Sequence, residues 1–181
     1  MVLAEALLRV PDAETADKAL VHLAVFGILA GGLPVDGLAK TVAAELVSAH
    51  LGGDVGDLVE ILRQEYPARS TTDGGPQRLA TPEPDLIGEA MVVEARLHGG
   101  EDAVSTVALV ERAYARGGAA AAAALMRLLQ AFAFPREDEP ASAVEREDAE
   151  QLLSWLVRLA DACGVAMLAP IVAALPKNTL V

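Results

Sequence analysis

The sequence predicts a mainly α-helical protein, and three observations carry that reading. Hydrophobic residues make up 53% of the 181 residues and aromatics only 3%, so the core must be assembled from Ala, Leu and Val. Ala and Leu order in a helix at little side-chain entropy cost, while the scarcity of Ile, Tyr, Phe and Thr leaves little material for sheet. Apolar residues also recur at helical spacing along most of the chain, in segments closed by glycine pairs.

The first segment, "PDAETADKALVHLAVFGILAGGLP", opens on Pro11 and on Asp12, which can cap the first turn, and stops at Gly31 and Gly32. Between Ala19 and Ala30 only His22 is polar. A helix apolar nearly all round belongs at the centre of its domain. The next segment, "LPVDGLAKTVAAELVSAHLGG", reads as one helix or as two short ones broken near Lys40, and "DVGDLVEILRQEYP" puts Val55, Leu58, Val59 and Leu62 on one face. Asp73-Gly74-Gly75-Pro76 is then a turn signal between short extended pieces at 68–70 and 77–80. Three helices followed by a small hairpin is the order of elements in a winged helix.

Helices resume after the hairpin. One is expected over 86–97, closed by "HGG", and another over 101–116, with Val107, Val110 and Tyr114 on one face and Gly117-Gly118 as its stop. "AAAAAALMRLLQAFAF" forms the next, its alanines permitting close approach of a neighbour. The acidic "PREDEPASAVEREDAE" reads as a solvated loop leading into a helix start, and its runs at 137–139 and 145–150 lack the spacing of a calcium-binding loop. Leu152, Leu156, Leu159 and Cys163 mark a further face, and "VAMLAPIVAALP" a short last helix. The expected architecture is a winged-helix-like domain over 1–82, then an antiparallel helical array, bundle or solenoid-like, over 83–181.

The net charge of −12 and the absence of a basic stripe argue against a nucleic-acid partner. No apolar run approaches the roughly 20 residues that span a bilayer, and the N-terminus lacks the basic-then-apolar order of a signal peptide. The single cysteine, Cys163, leaves no internal disulfide and fits a cytoplasmic location.

The ordered set "GGLPVDGLAK", a wing-like turn, "ATPEPDLIGEAMVVEARL", "VALVERAY" and "AAAALMRLLQAFA" resembles the region that follows the nucleotide-binding domain in bacterial STAND-type regulatory ATPases, relatives of the AP-ATPase and NACHT proteins. The resemblance covers roughly residues 12–180. It implies a winged helix and a helical arm leading toward tetratricopeptide-like repeats, with an adjacent nucleotide-binding domain and helical repeats as partners in signalling. The chain contains no G-x-x-x-x-G-K-[ST] and no apolar strand ending in acids, so it does not carry the nucleotide-hydrolysing machinery itself. Some members place a winged-helix histidine against a nucleotide phosphate, but His22, His50 and His98 sit in no matching motif.

No catalytic, cofactor-binding or metal-ligating set is assigned. Asp85 and Glu89 lie four apart in "PEPDLIGE", as paired carboxylates of a hydrolase would, yet Asp85 follows Pro82 and Pro84 where a first-turn acid is stabilised by the helix dipole. Glu89 enters the apolar part of its helix and is expected to make an inter-element contact, to backbone donors of the wing or to Arg78. His22, with no second ligand one turn away, reads as a hydrogen-bonded residue at the core edge. His50 and His98 flank glycines at helix ends, where an imidazole suits the C-terminal carbonyls. Trp155 is either core or an exposed anchor for a partner, with core favoured. The function expected is a non-catalytic regulatory and interaction module. The alternative is a winged-helix transcriptional regulator with a helical ligand or dimerisation domain.

Overall fold

In the computed structural model, residues 13–70, 77–80, 85–98, 103–132, 143–164 and 169 are described. The turn at 73–76, the acidic run at 137–139, Asp12, Pro82, Pro84 and the expected last helix lie outside them. The described chain is mainly α-helical with a small two-stranded antiparallel hairpin. Its order is α1 (Ala13–Leu29), α2 (Leu38–Ser48), α3 (Val55–Glu65), β1 (Ala68–Arg69), β2 (Arg78–Leu79), α4 (Asp85–Val93), a π-helical turn (Glu94–His98), α5 (Ala103–Gly117), α6 (Ala119–Phe132) and α7 (Ala143–Cys163).

Helix α1 is the hub. Every residue from His22 to Ala30 is buried, and the helix packs against α2, α3, α4, α5 and α6. A helix with Leu20, Leu23, Val25, Phe26 and Leu29 distributed around its circumference cannot satisfy them against one neighbour, so partners collect on all sides. The resulting core joins the two parts of the chain: Leu38, Leu58 and Leu79 belong to one cluster with Val92, Leu109, Leu125 and Trp155. Helices α5, α6 and α7 also pack on one another.

Glycine closes α1 by a specific hydrogen-bond pattern. The Gly32 amide donates to the Gly27 carbonyl (2.8 Å) and that of Gly31 to Ile28 (3.1 Å), with Gly31 left-handed at φ 66°. This pair of hydrogen bonds satisfies carbonyls that the helix end would otherwise leave orphaned. Arg78 of β2 completes the cap by donating through Nη1 to the carbonyl oxygens of Ala30 and Gly31, both at 3.1 Å. Helix α2 ends in the same pattern, with His50 in the left-handed position at φ 55° and the Leu51 amide donating to Leu46.

Of the two readings open for the second segment, the structure has the single helix: α2 runs unbroken from Leu38 to Ser48 because Leu38, Val42 and Leu46 form one buried stripe across Lys40. Asp54 caps α3 by accepting from the Asp57 amide at 3.0 Å. The hairpin pairs Ala68 with Leu79 and Arg69 with Arg78, and a third extended piece lies beside it. Pro34 bridges Arg78, the Val35 amide donates to Gln77, and that of Leu79 donates to Leu33. The helix expected over 86–97 leaves α geometry after Val93 and widens into the π-helical turn. On α7 the buried face runs through Leu152, Trp155 and Leu159 rather than through Leu156, which is half-buried; the Cys163 side chain lies outside the described set.

The end of α5 meets the end of α1 closely at Gly117, where a Cβ would collide with the Ala30 backbone carbonyl. Gly117→Ala should therefore lower the urea midpoint by the equivalent of about 1–3 kcal/mol, the usual cost of overpacking against rigid backbone. An unchanged midpoint would show that the α1–α5 approach is looser than described.

Candidate functional site

His22, the sole polar side chain in the apolar stretch of α1, lies at the centre of a buried polar cluster. Its Nε2 lies 2.9 Å from Glu45 Oε1 on α2, and its Nδ1 lies 2.7 Å from Arg96 Nη2 on the π-helical turn. An arginine can only donate, so Nδ1 accepts from Arg96 and Nε2 carries the proton that it donates to Glu45. Arg112 on α5 completes the set, donating to Glu45 through Nε to Oε2 at 2.9 Å and through Nη2 to Oε1 at 2.6 Å. Four elements are thereby tied together. Glu45 is 3% exposed, and His22 and Arg96 are also buried, so these contacts operate where water competes least.

Two opposing effects set the state of Glu45. Burial pushes its carboxyl up, but the hydrogen bonds from His22 and Arg112, together with the Arg112 charge, outweigh burial and hold it below its ordinary value of 4.5. A carboxylate with a depressed folded-state pKa contributes stability that is fully present above about pH 4.5 and lost as pH falls through the folded value. The cluster is thus a fixed ion pair at neutral pH. Its imidazole has both nitrogens engaged, an arrangement that orients helices and leaves no ring nitrogen to take up a proton from a substrate.

A cleft of about 340 Å³ opens beside the cluster, lined by Phe26, Thr41, Ala44, Glu45, Ser48, Arg112 and Arg116 among others. The Ser48 hydroxyl donates to the Ala44 carbonyl at 2.9 Å, a contact within its own helix. A second, much smaller space of about 20 Å³ lies among Leu23, Gly27, Leu33, Leu62, Tyr66 and Leu79, room for about one water. The Tyr66 hydroxyl is buried there without a hydrogen-bond partner among the described residues, and burial, with the nearby Glu65 charge, pushes its pKa above 10.0.

Among the described side chains, Arg78, Glu89 and Trp155 lie in separate surroundings. Asp85 is the first residue of α4, and its side chain lies outside the described set. Glu89 is buried and forms an ion pair with Arg127 of α6, Nε to Oε1 at 3.5 Å, rather than with Arg78, whose guanidinium is committed to the end of α1. Trp155 is 2% exposed, fully within the core, and so is no surface anchor. Sequence reasoning missed Glu45, Arg96 and Arg112. Each interrupts an apolar pattern, Glu45 beside Leu46, Arg96 beside Leu97 and Arg112 in "VALVERAY", which marks a charge pointing at a core without naming its partner.

No known protein family, no curated protein and no solved structure matches the chain. Among the described residues no group of three or more His, Cys, Asp or Glu side chains is placed to hold a metal ion, and no helix is long and apolar enough to cross a membrane.

Glu45→Gln tests the electrostatic account. The wild-type protein should lose stability as pH drops from about 5 toward 3, following the carboxylate's titration, and the variant should be less stable at pH 7 with a flatter acid limb. Urea melts across that range read both slopes. Parallel curves for the two proteins would mean that the Glu45 charge makes no contribution to folding.

Proposed function

We propose that this chain is a non-catalytic regulatory and protein-interaction module, a winged helix joined to a helical array, working in the cytoplasm beside a nucleotide-binding domain of the STAND type. The observation that carries the reading is the extended piece at 33–35 laid against β2. It lies where a winged helix has a short strand, between the first and second helices, with two helices and a hairpin following, which supports the reading. A helical array follows directly and shares the core of α1, the arrangement suited to passing a change in one part to the other. The engaged ring nitrogens of His22 favour a positioning role for the cluster over a catalytic one.

Protein partners or adjacent domains fit this reading better than nucleic acid. On α7, Leu153 and Val157 are exposed one turn apart, 41% and 60%, giving a neighbouring helix apolar side chains to cover. A winged-helix transcriptional regulator with a helical ligand or dimerisation domain would share the element order. Its recognition helix would be α3, whose outer side carries Asp57 and Glu60 beside Arg63, with Gln64 held by Glu60 at 2.9 Å. That surface repels phosphates.

Two measurements separate the readings. The coding sequence immediately upstream of Met1 should contain an in-frame G-x-x-x-x-G-K-[ST], followed by an apolar strand ending in acids; a reading frame without them contradicts the switch-protein proposal. Fluorescence anisotropy on random-sequence duplex DNA at low salt should show no binding, whereas binding that weakens steeply with salt would favour the transcriptional regulator.

A further inference from the structure

We infer that the cleft between α2 and α5 is a binding site for a small organic anion, one whose carboxylate or phosphate head is gripped by Arg116 and Arg112. Arg112 and Arg116 stand one turn apart on α5, and both line the cleft. Arg112 is held in place by its two-pronged bond to Glu45, so its remaining N–H groups are aimed before any ligand arrives. Arg116 makes no ion pair or hydrogen bond through its side chain among the described residues, which leaves its planar fork available for two parallel bonds to one anionic head.

The charge balance points the same way. Although the chain carries a net charge of −12, the charged residues lining the cleft are Arg112 and Arg116 against Glu45, so its lining is net positive. Low-dielectric walls concentrate the field of such an excess in the cleft. Thr41 and Ser48 line the α2 side as hydroxyl-bearing neighbours of the head, and Phe26 and Ala44 offer apolar surface to the body of the ligand. The volume, about 340 Å³, lies in the range of about 300–1,000 Å³ that small-molecule sites occupy, which favours a metabolite-sized ligand over the side chain of a docking protein. The inference is independent of the winged-helix reading, since it uses only α1, α2 and α5.

The test is a titration of the full chain with sodium phosphate and, separately, sodium acetate, each against sodium chloride at matched ionic strength. The readout is the side-chain Nε–H resonances of Arg112 and Arg116 in ¹H–¹⁵N spectra. Saturable movement of the Arg116 signal with phosphate, acetate or both is expected, and the arm that saturates at lower concentration identifies the preferred head. Arg116→Gln should weaken the response of the Arg112 signal at least about tenfold, one tenfold step being one decade in Kd. Its thermal midpoint without anion should equal that of the wild type, because Arg116 is exposed. Arg116→Lys, which keeps the charge and loses the fork, should fall between the two. Drift no different from that in chloride, or an unaltered response in Arg116→Gln, would overturn the site.

Discussion

The hydrogen bond from His22 to Glu45 is the constraint around which the remaining packing is arranged. Helix α1 is so apolar that it must be enclosed, and enclosure brings its imidazole into the interior, where an unpaired polar group costs about 1–3 kcal/mol. Glu45 supplies the acceptor from α2, but a carboxylate taken out of water is far more costly than an imidazole. Arg112 must then reach in from α5, and Arg96 from the π-helical turn takes the second ring nitrogen. One polar side chain on the central helix therefore dictates what three other elements present.

Such a cluster is a poor source of net stability, since the loss of hydration offsets much of the Coulombic attraction. Its effect is selective. A slip of α5 along α1 would leave Glu45 buried without its guanidinium, and breaking a buried pair costs about 3–5 kcal/mol. Leucine and alanine surfaces discriminate weakly between such registers, because one methyl packs much like another. The cluster thus supplies the register that a core of Ala, Leu and Val lacks, while Gly117 and the Ala30 carbonyl fix the distance between the same two helices.

Local chemistry was readable and long-range partnership was not. The stop at Gly31-Gly32, the centrality of the first helix and the positions of the hairpin strands all follow from residues within a turn or two of the feature, which is where sequence patterns carry information. The unbroken α2 was obscured because Lys40 and Thr41 interrupt the apolar spacing, although Thr41 is buried. The π-helical turn has no compositional mark. Trp155 and Leu156 are adjacent apolar residues on a helix of mixed character, and only the position of α5 and α6 decides which one turns inward. His22, Glu45, Arg96 and Arg112 are spread between positions 22 and 112, so no short window of the sequence contains the site.

The central claim is that α1 and its polar cluster make the two halves of the chain a single cooperative unit. Trp155 is the only tryptophan and lies buried on α7, so its fluorescence reports the second half, while amide hydrogen exchange in α2 and α3 reports the first. Followed through a urea titration, the two signals should share one midpoint, as a single cooperative transition requires. Two separated transitions, with α2 and α3 opening while Trp155 stays in its native environment, would contradict the account.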